Sequence, residues 1–293
     1  MVGNLEKTPE GWRNFSTKVP VASMRIKRGD LKRLYKIIND KQIEVRDAFM
    51  PLLAIQPSET ESDFEARRKR VFDAFVTSMT AQGTNGEVAH GNNEAFLEDS
   101  NLPEQLLSIF FSTKSVPNAF GITPPCHLVV FLDFTRPPKF DLTRMPTLPT
   151  VNETNFEIIA DSETWFAATK ARLSQFFDER RTGVNWLHRA GIYDLLLFFV
   201  GVPIAIWVSY RVSVRLPSMH SALVGAFIVY AFLFSVILFR FGFAYSRWVY
   251  PKIEMDSETV RATPLRHRAA WSAIVIGIVA GLLWDAMKYL AAS

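Results

Sequence analysis

Residues 221–239 read SALVGAFIVYAFLFSVILF, nineteen positions with no charged side chain. A helix rises 1.5 Å per residue and about 20 apolar residues cross a hydrocarbon layer of about 30 Å, so this stretch predicts a membrane-spanning helix. Two similar stretches flank it. Residues 192–210, IYDLLLFFVGVPIAIWVSY, carry one charge, Asp194, near the start, and residues 269–290, AAWSAIVIGIVAGLLWDAMKYL, carry Asp285 and Lys288 near the far end. A chain of 293 residues has too little other material to bury three such helices in a soluble core. The expected fold class is therefore an α+β cytoplasmic domain, mostly antiparallel sheet with flanking helices, followed by an all-α membrane block of three transmembrane helices.

Composition averages these two parts: 48% hydrophobic residues and a mean hydropathy of +0.08 describe neither. Residues 1–181 hold 23 Lys and Arg against 24 Asp and Glu, while residues 182–293 hold 10 against 5, so the basic pI of 9.2 belongs to the membrane block. A nucleic-acid partner is not expected, because its basic footprint would fall on the soluble domain. The single cysteine, Cys126, allows no internal disulfide, and the five histidines have no metal-ligand spacing. The opening segment lacks the apolar core of a secretory signal, which predicts that the first domain stays in the cytoplasm.

Four segments are expected: a polar lead-in at 1–24, the α+β domain at 25–181, a basic linker at 182–191 and the transmembrane block at 192–290, whose second span extends past the bilayer to about residue 250. Orientation follows the bias of Lys and Arg in short flanking loops. With the N-terminus inside, the inner side receives Arg180, Arg181, Arg189, Arg240, Arg247, Lys252, Arg261, Arg266 and Arg268, and the outer side receives Arg211, Arg215 and Lys288. This predicts a multi-pass protein of a bacterial inner membrane, N-terminus in and C-terminus out. Arg189, Arg240, Arg247, Lys252, Arg266 and Arg268 are the expected contacts to the anionic inner leaflet.

Within the third span Ala273, Gly277, Gly281 and Asp285 recur every four residues and so share a face. The Gly277–Gly281 pair permits close helix approach, so this face is expected to pack on another helix, in the same chain or in a second copy. Charges inside or at the edge of a span are candidate functional groups. Asp285 is such a group, with Arg211 and Arg215 near the same outer boundary, although a carboxylate there also pairs readily with Lys288 or Arg211. Asp194 is expected to pair at the inner boundary near Arg189. Pro203 removes a backbone donor in mid-helix and predicts a kink in the first span.

In the soluble part Asp30 is a plausible N-cap for a helix whose apolar residues run from Leu31 to Ile38. Residues 57–63 read as a loop, 64–70 as a helical turn, and 71–81, 105–113, 127–134 and 155–160 as strands. Asn85-Gly86 is a hairpin signal. The apolar run HLVVFLDF, 127–134, is the expected central strand, and Pro137-Pro138 ends it. Ser162 can cap a helix that reaches about Arg181.

Catalytic signatures are missing from the chain. There is no phosphate-binding G-x-x-x-x-G-K-[ST], no G-x-S-x-G and no H-E-x-x-H. Asp133, Glu157 and Asp161 come from the ends of two expected strands and could converge on a metal, although surface carboxylates at strand ends are ordinary. No cofactor, metal or catalytic residue is expected. The leading functional expectation is a non-enzymatic membrane protein whose cytoplasmic domain binds a protein or small ligand while its helices anchor, self-associate or respond. An oligomeric pore-forming effector is the alternative and a membrane-bound enzyme the third.

Overall fold

The computed structural model describes residues 14–98, 100–140, 144–216, 220–256 and 262–292. Most of the polar lead-in and Arg261 lie outside the described residues. The chain divides into two compact units, one of Met1–Thr135, Asn152–Thr182 and Ile253–Asp256, the other of Arg136–Val151, Gly183–Lys252 and Ser257–Ser293.

The first unit is built on a six-stranded sheet. Its strands are β1 (Phe15–Pro20), β3 (Ser78–Gly83), β4 (Val88–Gly91), β5 (Leu106–Ser112), β6 (His127–Asp133) and β7 (Asn155–Ala160), with β2 (Met24–Lys27) set apart. The order across the sheet is β1-β7-β6-β5-β3-β4, every pair antiparallel. The HLVVFLDF run is thus β6, one of the two middle strands. The helices of this unit are α1 (Arg28–Phe49), α2 (Glu61–Ala74), the short α3 (Ser115–Ala119) and α4 (Glu163–Asp178).

Alternation places Leu128, Val130 and Leu132 of β6 on one face, where they meet Leu31, Leu34 and Ile38 of α1 and Leu173, Phe176 and Phe177 of α4. Each of these side chains contributes roughly 1.5–3 kcal/mol by leaving water, which makes this layer the main stabilising feature of the unit. The α1 residues recur every three or four positions and Ser162 accepts from Trp165 N–H at the start of α4, as the sequence predicts.

Several expectations are corrected. Lys27, not Asp30, is the N-cap of α1; Asp30 sits one turn in, where its carboxylate accepts from Lys27 N–H at 2.9 Å and from Arg180 at 2.8 Å. Burial opposes its charge, but those two hydrogen bonds prevail and hold its pKa below the usual value. The segment 71–81 is not one strand. Thr60 caps a helix that begins in the supposed loop at Glu61, and Val71, Ala74 and Phe75 fall at helical spacing on its buried side before β3 starts at Ser78. Residues 15–20, assigned to the lead-in, form the edge strand β1, whose FSTKVP alternates half-buried and exposed positions.

The loop between the second and third spans also holds a strand, β8 (Ile253–Asp256), which pairs parallel with β2 in a separate two-stranded sheet. Ile253 is 1% exposed and belongs to the main core of the first unit. Thr182 N–H donates to Ser23 and Arg25 N–H to Arg180, so the end of α4 and β8 are both fixed to the β2 strand.

The second unit contains α5 (Ile192–Leu196), a π-turn at Leu197–Gly201, α6 (Val202–Val214), α7 (Ser221–Val249) and α8 (Ala262–Ala292). Among the described residues three helices are long and apolar enough to cross a membrane: Ile192–Val214, Ser221–Val249 and Leu265–Asp285. The π-turn lies immediately before Pro203, where the missing N–H interrupts the helical ladder, a local adjustment that membrane helices use around proline.

Candidate functional site

Among the described residues of the first unit, α1 and α4 pack on one face of the sheet. The other face is centred on Phe110 of β5 and Phe131 of β6, which are register partners with ring centroids 6.5 Å apart. Around them the register places Val129 and His127 on β6, Ile159 and Glu157 on β7 and Thr80 on β3. The edge residues Ser16, Lys18, Gln82 and His90 are exposed, whereas the central ones are half-buried except for the buried Val129. An apolar centre inside a polar rim is the composition of a recognition surface. Burial and the Lys114 charge lower the pKa of His127, so its ring is neutral at physiological pH.

The carboxylates considered for catalysis do not converge. Asp133 accepts from Thr135 N–H and Glu153 N–H, a turn-forming role, while Asp161 accepts from the Cys126 thiol at 3.1 Å. The antiparallel register of β6 and β7 puts these two at opposite ends of the strand pair, eight residues or about 26 Å apart at 3.3 Å per residue. Burial first, and then the Asp161 hydrogen bond, push the Cys126 thiol up to about 11, which leaves it an unreactive thiol. Among the described residues no group of three His, Cys, Asp or Glu is placed to hold a metal.

In the second unit a buried polar cluster surrounds the end of α7. Arg247 is 8% exposed and donates Nε to the Leu187 carbonyl at 3.1 Å, Nη1 to the Leu148 carbonyl at 3.1 Å and Nη2 to the Arg189 carbonyl at 3.5 Å. Its guanidinium stacks 4.6 Å from the Phe243 ring centroid. Arg247 is therefore not a leaflet contact as its position in the sequence suggests. Its fork is committed to three carbonyls from two chain segments.

Beside it, His188 bridges Thr150 Oγ1 and the Tyr250 carbonyl at 2.9 Å each. A carbonyl only accepts, so Nε2 carries the proton and Nδ1 accepts from Thr150. Burial holds the His188 pKa down at about 4, helped by the nearby Arg247 and Lys252 charges and opposed by the Tyr250 hydrogen bond. The neutral ring is the folded form, so between pH 6.5 and about 4 the unfolded chain binds a proton that the folded chain refuses. Stability should be complete above pH 6.5 and fall by about 2 kcal/mol by pH 5. Melting midpoints at pH 7.5 and pH 5 check this: wild type should lose more than His188→Gln, and equal losses would refute the assignment.

The sequence-selected membrane residues are placed as follows. Arg211 and Asp285 form an ion pair at 2.6 Å between α6 and α8, and Arg211 also lies over Trp207. Asp194 accepts from the Thr147 hydroxyl at 3.1 Å in the first turn of α5, where a negative charge faces the positive end of the helix dipole. Arg189, Arg215 and Arg266 are exposed; Lys252 and Arg268 are half-buried. Arg240 donates to the Arg144 carbonyl at 3.1 Å.

The small-residue face of α8 is open at its two glycines within the single chain. Among the described residues, a methyl group added at Gly277 or Gly281 would meet no atom within 4 Å, so nothing packs closely on the two glycines, while Asp285 further along the same face meets Arg211 of α6. The close approach is instead on the first span: a Cβ at Gly201 would lie 3.0 Å from Phe239 of α7. One and two turns further on, Ala205 is fully buried, and buried Ser209 donates to the Ala205 carbonyl and reaches the Ile228 carbonyl of α7 at 3.4 Å. Gly201, Ala205 and Ser209 also recur every four residues, a signal present in the sequence beside the one that was favoured.

No family model, curated protein or solved structure matches this chain.

Proposed function

We propose that this is a membrane-anchored, non-enzymatic binding protein whose sheet unit receives a protein partner on its open face. The observation that carries this is the half-covered sheet: six strands with helices packed on one side and Phe110 and Phe131 at the centre of the other. The separation of Asp133 from Asp161 supports the non-enzymatic part of the reading. The excess of basic residues at the end of α7 supports a cytoplasmic sheet unit. A second reading, self-association through Ala273, Gly277 and Gly281, is favoured by the absence of any same-chain atom near the two glycines. Such an assembly would also be the framework of the alternative pore, with Asp285 held by Arg211.

The test is site-specific photo-crosslinking in cells. A benzophenone side chain at Phe131 should give one discrete adduct in the membrane fraction, and Phe110→Lys in the same chain should abolish it. The same probe at Arg68, on the exposed side of α2, should give none. No adduct from Phe131, or an adduct indifferent to Phe110→Lys, would end the proposal.

A further inference from the structure

We infer that the end of α7 and the chain segment beside it form a binding site for the phosphate-bearing headgroup of an anionic phospholipid, with Arg136 and Lys139 as its principal cations. The inference depends on the three helices spanning a bilayer and not on any role of the sheet face.

α7 has 29 residues, about 43 Å of helix, where about 20 residues suffice to cross the hydrocarbon layer. The surplus places its turns from about Arg240 onward in the headgroup layer. Arg136, Lys139 and Phe140 lie along these turns. The Arg136 guanidinium and the Lys139 ammonium stand 5.6 Å and 4.5 Å from the ring centroid of Trp248, so the two cations are within about 10 Å of each other. Phe140 packs edge-on against Phe241 at 5.6 Å. From the neighbouring helix, His267 packs edge-on against the same Trp248, and Arg268 donates to the Val249 carbonyl and lies over Tyr250.

The local sequence RPPKF accounts for the paired cations. Two prolines between them fix φ, and both cations are brought over the same Trp248 ring. The arrangement is preorganised, which lowers the entropic cost of capturing an anion. Arg supplies a planar fork that fits phosphate, Lys a compact charge, and tryptophan an amphipathic ring suited to the interface. The second unit holds 13 basic residues against 4 acidic, a net of +9, while the first holds 20 against 25, a net of −5. Its own acids cannot neutralise that surplus. An anionic leaflet can.

The experiment uses full-length protein, purified in neutral detergent and titrated with phosphatidylglycerol, phosphatidylcholine or inorganic phosphate while bound lipid is counted by native mass spectrometry. Phosphatidylglycerol should bind in preference to phosphatidylcholine. Arg136→Gln/Lys139→Gln should weaken it about thirtyfold and Lys139→Gln alone about fivefold. Arg215→Gln/Lys288→Gln, at the other end of the helices, should bind as wild type does. If the double variant is unstable, the single change at the exposed Lys139 decides the matter. Equal binding of the two lipids, or unchanged affinity in Lys139→Gln, would overturn the proposal. Inorganic phosphate that displaces phosphatidylglycerol at millimolar concentration would also overturn it, by assigning the site to a soluble anion.

Discussion

Replacing Ile253 with alanine is expected to destabilise the sheet unit by about 2 to 5 kcal/mol, although the residue lies in the loop between two membrane spans. Ile253 is 1% exposed and pairs with Met24, itself 1% exposed, so its side chain fills the core shared with α1 and α4. Truncation removes three buried carbon atoms and leaves a cavity that a parallel two-stranded pairing of four residues cannot close by moving. The Arg25–Glu254 ion pair at 3.0 Å adds little, since the Arg25 side chain is 44% exposed. Met255→Ala is the control, because Met255 is only partly buried and should cost less. Thermal melting of the full chain in detergent, read by protease resistance of the sheet unit, measures both. Equal melting of Ile253→Ala and wild type would show that β8 is dispensable. By the same argument a fragment ending at Arg181 lacks a core residue and leaves the edge of β2 unpaired, so it is a destabilised molecule rather than an isolated domain.

What the sequence made legible follows the strength of the physical constraint on each element. A bilayer demands about 20 apolar residues in one run, and all three spans can be read directly from that demand. The strands β5, β6 and β7 were equally visible because each carries several apolar residues between turn signals. The edge strand β1 carries only half its positions in the core, and FSTKVP looks polar unless its alternation is given weight. Val71 to Ala81 joins a helix end to a strand, and its frequent apolar residues hide that change of period. β8 had no local signal at all: IEMD becomes a strand through its pairing with β2, a contact across more than 220 residues of chain.

The same reasoning applies to the candidate sites. Two stripes of small residues stood in the sequence, and spacing alone could not rank Gly277–Gly281 above Gly201–Ala205–Ser209. Within the chain the second is packed, because Phe239 closes over Gly201 and the Ser209 hydroxyl reaches the facing backbone. A residue type likewise gives a charge but not its burial. Arg247 was grouped with the leaflet contacts because it follows a span, and only the return of residues 144–151 and 183–189 to the end of α7 encloses it.

Arg247→Ala is the second change expected to have a large effect, about 3 kcal/mol or more. The wild-type guanidinium satisfies the Leu187 and Leu148 carbonyls at 3.1 Å and reaches Arg189 at 3.5 Å, so its removal takes the donor from the buried Leu187 carbonyl and from two part-buried ones. Each unsatisfied buried group costs about 1–3 kcal/mol, and the lost stacking on Phe243 adds to that. Arg247→Lys should recover only part of the loss. An ammonium is a single point of donation and cannot span carbonyls that the planar fork reaches from three nitrogens. Arg247→Met tests packing separately, since it restores much of the volume and none of the donors. The order expected in melting experiments is wild type, then Lys, then Met and Ala together, with new protease cleavage within residues 144–151 or 183–189 in the last two. A methionine variant as stable as wild type would mean that the three hydrogen bonds contribute nothing net. The cluster would then be held by apolar contacts of Leu187, Tyr193 and Phe243 alone.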